Sequence, residues 1–168
     1  YGLEITLEKF YSKGFYFLFT SSLFESKYKG SDKILRNTAF NGNYVFNLLG
    51  GKEIKLNEKF TLSLDIRGSY AGGKRYTAID LAKSIAENDE VRDVKNAFAK
   101  QYPNYLRMDV KPGFRVNTKH ITHEFSVDIQ NISQHLNVFQ QNYDITNKKI
   151  DTEYQLKFFV IPQYRILF

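Results

Sequence analysis

Three groups of side chains in this chain have types and spacings that could do chemistry. His120 and His123 lie three residues apart, close enough in sequence to raise a shared metal ion. Asp65, Arg67, Arg107, Asp109, Lys111, Glu124 and Asp128 fall at alternate positions of three segments, and carboxylates among them raise the question of acid–base pairs. Gly72-Gly73-Lys74-Arg75-Tyr76 has the glycines and cations of a phosphate cradle. None of the three is completed. The histidines straddle a turn and the start of a strand, where neighbouring side chains alternate faces. There is no cysteine, no third ligand stands close by, and His135 is distant in sequence. No Ser-His-Asp arrangement or acid-pair motif accompanies the carboxylates, and the glycine stretch lacks P-loop spacing. No catalytic residue, metal or cofactor is therefore expected, and the chain is not expected to be an enzyme. The charged set reads instead as a structural network on the polar faces of successive strands; the alternative is that some of its members line a substrate path.

The elements that position these residues are strands. Phe60 to Tyr70 is the clearest: Phe60, Leu62, Leu64, Ile66 and Tyr70 oppose Thr61, Ser63, Asp65, Arg67 and Ser69. Arg67 facing lipid near a midplane would cost about 2–4 kcal/mol, so the polar face points away from it. Tyr105 to Val116 divides Leu106, Met108, Val110 and Phe114 from Arg107, Asp109, Lys111 and Arg115, with Pro112 unable to donate to a ladder. Thr122 to about Ile132 opposes Phe125, Val127 and Ile129 to Glu124, Ser126, Asp128 and Gln130. Gly2 to Phe10 puts Leu3, Ile5 and Leu7 opposite Glu4, Thr6 and Glu8, with Lys9 able to snorkel near its end. Phe15 to about Tyr28 is apolar on both parities at its start, so its facing is open. A further strand runs from about Phe40 to Leu56, with Gly50-Gly51 marking a bend or bulge.

The last stretch, Glu153 to Phe168, alternates again, with Leu156, Phe158, Val160, Pro162, Tyr164, Ile166 and Phe168 on one parity. At about 9–11 residues a tilted strand crosses a bilayer, and this one is long enough. Its aromatic ending, Phe158, Val160, Tyr164, Ile166 and Phe168, resembles the C-terminal signal read by the assembly machinery of outer-membrane β-barrels.

About seven strands result, joined by connections that alternate short and long. Ser12–Gly14, Asn57–Lys59 and Asn117–His120 are short turns; Lys29–Thr38, Ala71–Asn104 and Ser133–Thr152 are long. Up-and-down outer-membrane barrels have this alternation, with tight periplasmic turns and long extracellular loops. Within Ala71–Asn104, Thr77-x-x-Asp80 has the form of a capping box ahead of a short helix between Thr77 and Val91.

Composition is compatible with this reading. The 168 residues are 42% hydrophobic and 16% aromatic, with 15 Phe, 12 Tyr and no Trp, and mean hydropathy is −0.44. A barrel whose lumen side is polar has such averages, and no apolar run reaches the ~18 residues of a membrane helix. The net charge of +6 and pI near 9.3 invite a nucleic-acid reading, but anionic lipid headgroups and lipopolysaccharide account for the basic balance; no nucleic-acid partner is expected. The chain opens inside an alternating pattern, so it is expected to be a piece of a longer polypeptide with its export signal upstream.

Six segments together resemble one family, the TonB-dependent outer-membrane receptors of the type common in Bacteroidetes: YGLEITLEKFYSKGFYFLFTSSLFESKYKG, NTAFNGNYVFNLLGGKE, YAGGKRYTAIDL, KQYPNYLRMDVKPGFR, EFSVDIQNISQHLNVF and EYQLKFFVIPQYRILF. They cover nearly the whole chain in the family's order, with Pro112 and Pro162 as departures. The resemblance implies an all-β fold, a transmembrane antiparallel up-and-down barrel of about 22 strands filled by a plug, of which residues 1–168 supply about seven C-terminal strands with a short helix in one extracellular loop. It implies transport of a nutrient (metal chelate, glycan or peptide) driven through TonB. Partners would be lipid, lipopolysaccharide, the protein's own plug and upstream strands, the TonB complex, the barrel-assembly machinery and, in the glycan-importing branch, a surface lipoprotein. Lys74, Arg75 and Tyr76 would lie in an extracellular loop, and Asp65, Arg67, Arg107, Asp109, Lys111, Glu124 and Asp128 would face the lumen. Two alternatives stand beside this: a barrel fragment serving as an assembly substrate or structural part of a larger outer-membrane complex, and a water-soluble β-sandwich that binds a ligand.

Overall fold

A computed structural model describes every residue from Tyr1 to Phe168. In chain order the elements are β1 (Gly2–Ser12), β2 (Phe15–Phe24), β3 (Lys27–Lys29), β4 (Leu35–Asn37), β5 (Tyr44–Lys55), β6 (Phe60–Ala71), β7 (Arg75–Tyr76) and the helix α1 (Leu81–Glu87). A 3₁₀ turn at Val94–Asn96 is followed by β8 (Lys100–Gln101), β9 (Tyr105–Asn117), β10 (Thr122–Gln130), β11 (Val138–Asp144), β12 (Lys149–Tyr154) and β13 (Phe159–Leu167). Seven of them form one antiparallel sheet in the order β1-β2-β5-β6-β9-β10-β13, each strand beside its predecessor among the seven. The sheet is open, with β1 and β13 as its edges.

Side-chain chemistry closes the three short turns. Lys13 and Gly14 both take positive φ, 53° and 78°, the two-residue turn whose twist matches antiparallel strands. The Asn57 carboxamide oxygen accepts from the Lys59 and Phe60 amides at 2.9 Å each, and the Thr118 hydroxyl accepts from the Ile121 amide at 3.1 Å. Asx and hydroxyl turns of this kind compete with longer excursions. The three turns and the end of β13 share one rim, because Leu167 lies opposite Thr122. The long connections carry their own hairpins, β3–β4, β7–β8 and β11–β12, at the other rim.

The register settles the faces. Leu3, Leu23 and Tyr44 stand in one row across the sheet, and Ser22, Val45, Ala71 and Tyr105 in the next. Phe17, Gly50 and Ile66 share one side with Leu7, Phe19 and Leu48, and Tyr16, Gly51 and Asp65 share the other. The facing left open by periodicity is thus fixed: Phe15, Phe17, Phe19 and Leu23 join the apolar side. Only 10 of the 168 residues are buried, and the sole large hydrophobic among them is Tyr143 in β11. The apolar strand face has no protein layer over it.

Several expected boundaries shift, each for a local reason. The final strand begins at Phe159, not Glu153, because Glu153 and Tyr154 pair with β11 as part of β12 and 155–158 must carry the chain back to the sheet edge. Phe158 therefore lies before the strand rather than in it. Strand β2 ends at Phe24, where the chain leaves for β3, and β5 starts at Tyr44, leaving Phe40 exposed in a turn. Gly50-Gly51 makes no bulge: the register runs unbroken through both. A Cβ on Gly51 would meet the Asp65 carboxylate and the Tyr16 ring, so close side-chain approach, not a bend, requires glycine there. The helix is shorter than Thr77–Val91 and is capped by Asp80 rather than by Thr77; the Asp80 carboxylate accepts from the Lys83 amide at 3.1 Å. Asn88, left-handed at φ 52°, ends it by donating to the Ser84 carbonyl. Beside Pro112 the β9–β10 pairing lapses between Ser126 and Ile129, as expected where a residue has no N–H to donate; Pro162 keeps its register opposite Val127.

Candidate functional site

The polar face of the sheet gathers most of the charged residues singled out above into two networks. Register sets Asp109 opposite Arg67. Asp109 is 4% exposed and accepts from Arg67 Nε at 3.0 Å and Nη2 at 2.8 Å, from Arg107 Nε at 2.9 Å and from the Asn131 amide at 2.8 Å. Arg107 also donates to Gln130 Oε1 at 3.0 Å, and Gln130 Nε2 donates to Asp128 at 3.0 Å. A carboxylate this buried is tolerable because its acceptor sites are filled by charged and backbone donors.

The second network lies toward the short-turn rim. Arg115 Nε donates to Glu124 at 2.8 Å and Nη2 to Glu53 at 3.4 Å; Arg165 lies 3.6 Å from the other Glu124 oxygen. The Tyr11 hydroxyl donates to Glu53 at 2.7 Å. Beside it, Tyr16 reaches across Gly51 to donate its hydroxyl to Asp65 at 2.8 Å. These side chains line a polar groove of about 490 Å³, into which Lys111 also faces. Sequence patterning put Gln130 and Arg165 on polar parities without giving them a part in the charged set, and it missed Tyr11, Tyr16 and Glu53. Arg165 and Gln130 stood on the polar parity and were legible; Tyr16 was hidden in an apolar run, and Tyr11 and Glu53 meet only through register.

At the long-loop rim, Lys74, Arg75 and Tyr76 separate. Arg75 donates to the Asn41 carbonyl at 3.1 Å and to Asn43 Oδ1 at 3.2 Å, while Tyr76 stacks on Tyr102 with centroids 4.1 Å apart. Lys74 lines an apolar cavity of about 230 Å³ with Phe24, Phe40 and Tyr105. Arg92 bolts the helical connection to the β11–β12 hairpin, donating to the Thr77 carbonyl at 3.1 Å and the Gln141 carbonyl at 2.9 Å. Glu90 accepts from Arg92 Nε at 2.7 Å and from the Tyr143 amide at 2.9 Å. The Tyr102 hydroxyl accepts from the Gln141 amide at 3.1 Å, and burial raises its pKa. Arg36 joins the first long connection to the second through the Lys95 carbonyl at 3.2 Å. The long connections thus form one tied cap. Asn137 seals β9 beyond the end of β10: its carboxamide donates to the Leu106 carbonyl at 2.8 Å and accepts from the Leu106 amide at 2.9 Å.

The histidines do not converge. His123 Nδ1 lies 2.8 Å from the Tyr164 hydroxyl, and His135 Nε2 lies 3.2 Å from the Asn104 carbonyl. No group of three or more His, Asp or Glu stands in metal-holding positions.

On the apolar face, Val160, Tyr164 and Ile166 of β13 lie in the rows of Ile129, Phe125 and His123. Phe125 stacks on Tyr164 at 4.7 Å and Phe60 on Phe114 at 5.6 Å. Phe168 follows the strand, 97% exposed. Leu64, Ile66 and Met108 are each about half exposed and Leu3 more so, so large apolar side chains stand uncovered along this face. No helix is long and apolar enough to cross a membrane. Comparison with protein families, with curated proteins and with solved structures found no match to this chain.

Proposed function

We propose that this chain is barrel wall, the C-terminal part of a TonB-dependent outer-membrane receptor that imports a nutrient. The observation that carries the reading is the division of one seven-stranded sheet into an uncovered apolar face and a hydrogen-bonded charged face. In water the first would need a covering layer; in a bilayer it needs none, and the second becomes the lumen side. The rims support the orientation, with tight turns on the periplasmic side and the tied cap outside. Strands of 9 to 13 residues in the sheet suit the ~9–11 that cross a bilayer at a tilt. Open edges at β1 and β13 cannot remain unpaired in hydrocarbon, so upstream strands complete the barrel.

In this reading the Asp109 and Glu124 networks stiffen a wall that stays still while a plug rearranges under TonB pull. The outer cap, with Lys74 over its cavity, forms part of a vestibule for a metal chelate, glycan or peptide. Val160, Tyr164, Ile166 and Phe168 serve the assembly machinery, and a surface lipoprotein is a partner in the glycan-importing branch. The free β13 edge also suits a second reading, an assembly substrate or structural component of a larger complex. Intact mass and peptide mapping of the polypeptide extracted from outer membranes with detergent decide between them. A mass several-fold above 19.7 kDa with plug peptides supports the importer; a mass near that value sinks it and favours the structural role. Absence from the membrane fraction overturns both.

A further inference from the structure

Lysines crowd the short-turn rim: Lys9 and Lys52 on the apolar face, Lys13, Lys59 and Lys119 in the turns, and Lys55 at the end of β5. None of them forms an ion pair within the protein, whereas Lys27, Lys83 and Lys149 of the outer cap each do. The carboxylates near the rim do not answer them. Glu53 is taken by Tyr11 and Arg115, Glu8 lies on the polar face, and Glu58 is the one carboxylate side chain in the turns.

Phe15 is the centre of the best-defined group. Lys52 stands opposite it in the register, and Lys13 lies in the turn just before it. The Lys9 ammonium sits 3.9 Å from its ring centroid, bonded to the Ser12 carbonyl at 3.2 Å and the Phe15 carbonyl at 3.3 Å. Lys9 therefore bends from the apolar face toward the rim, as a lysine does when its stem lies in hydrocarbon and its head at the interface. Further along the same rim, the Asn117 amide donates to the Lys59 carbonyl at 2.8 Å, holding the turns of Lys59 and Lys119 side by side. The stacked pairs Phe60–Phe114 and Phe125–Tyr164 lie above them. Aromatic rings on the apolar side with cations beyond them describe a membrane interface at this depth.

Resting on the barrel reading, we infer that the short-turn rim selects anionic phospholipids, the rim lysines binding their phosphodiester headgroups in the leaflet on the turn side. A zwitterionic headgroup carries its own ammonium and competes poorly for these lysines. An anionic one leaves a negative charge for them, and several lysines near a surface add their attraction.

The test reconstitutes the full-length polypeptide, with the upstream strands that close the barrel, in phosphatidylcholine vesicles and compares the motionally restricted fractions of spin-labelled phosphatidylglycerol and spin-labelled phosphatidylcholine. The unaltered chain is expected to prefer phosphatidylglycerol by about threefold. The quadruple variant K13Q/K52Q/K59Q/K119Q should bring the ratio to unity, and K29Q/K33Q on the opposite rim should leave it unchanged. Lys9 is kept because its ammonium closes a turn. A chain that floats with the vesicles but shows no preference, or a preference the quadruple variant retains, overturns this inference alone. A chain that fails to float overturns the barrel reading with it.

Discussion

Along β6 one backbone serves two unlike surfaces. Ser63, Asp65, Arg67 and Ser69 face a side where Arg67 is locked to Asp109, Asp65 holds Tyr16 and Ser69 donates to Asn47 at 2.9 Å. Leu62, Leu64 and Ile66 face the other, where each is about half exposed and nothing covers them. The polar face carries specificity, since each bond requires one register. The apolar face carries no protein-to-protein specificity, and its stabilisation must come from what surrounds it. Glycines make the same division: a Cβ on Gly51, on the polar side, would collide with Asp65 and Tyr16, and a Cβ on Gly68, on the apolar side, would meet nothing within 4 Å.

The strongest way to break the polar face is to remove its hub. Asp109→Ala leaves two guanidinium groups and the Asn131 amide without their acceptor, and should cost about 4 kcal/mol, read as a shift in the urea unfolding midpoint in detergent. A cost under about 1 kcal/mol, the range of exposed pairs, would mean that the network does not hold the sheet. Leu64→Arg probes the opposite face. In a bilayer it should cost about 2–4 kcal/mol, measured by unfolding from vesicles; a change within about 0.5 kcal/mol, as for an ordinary surface site in water, would sink the lipid-facing assignment.

The glycine pair sharpens the comparison at smaller scale. Gly51→Ala should cost about 1–3 kcal/mol through overpacking against Tyr16 and Asp65, while Gly68→Ala should be neutral or slightly stabilising because a strand glycine has no packing to lose. Equal effects at both positions would contradict the division of faces. The smallest effect expected lies in the cap of long connections. The Lys83 amide, and then its ammonium, hold the Asp80 carboxyl below its ordinary pKa; donors in their own loops hold Asp32, Asp93 and Asp144 low as well. A depressed folded-state pKa contributes stability above the unfolded carboxyl value of about 3.9, and that contribution is lost as pH falls through the lower folded value. Protection of the α1 amides against exchange, taken relative to the intrinsic rate at each pH, should therefore fall below about pH 4, with little change in β2, which has no carboxylate. Equal loss of protection in both elements would show that cap and sheet do not respond separately.

Much of this architecture is legible in the sequence. Seven strands, three tight turns and the alternation of short and long connections follow from period-two patterning and turn residues, because both are local. The charged face was legible too: Asp65, Arg67, Arg107, Asp109, Lys111, Glu124 and Asp128 all fall on one parity of their strands. The hairpins inside the long connections were not, since β7 and β8 are two residues each and carry no period. Nor was the end of the helix cap, where Asp80 and Thr77 compete for the same role and tertiary contacts decide: the Thr77 hydroxyl accepts from the Phe98 amide at 3.2 Å.

What the sequence determined by itself is thus the type of each main element and which of its sides is polar, because alternation acts within a single strand. Pairing decided the rest. Phe15–Phe19 is apolar on both parities and holds no periodic information, so only its register against β5, with Phe17 opposite Gly50 and Phe19 opposite Leu48, turns Tyr16 to the polar face. That same register brings Tyr16 over Gly51 to a carboxylate 49 residues away. A contact between partners so distant in the chain has no local signal, and it exists only once neighbouring strands have fixed which side chains share a row.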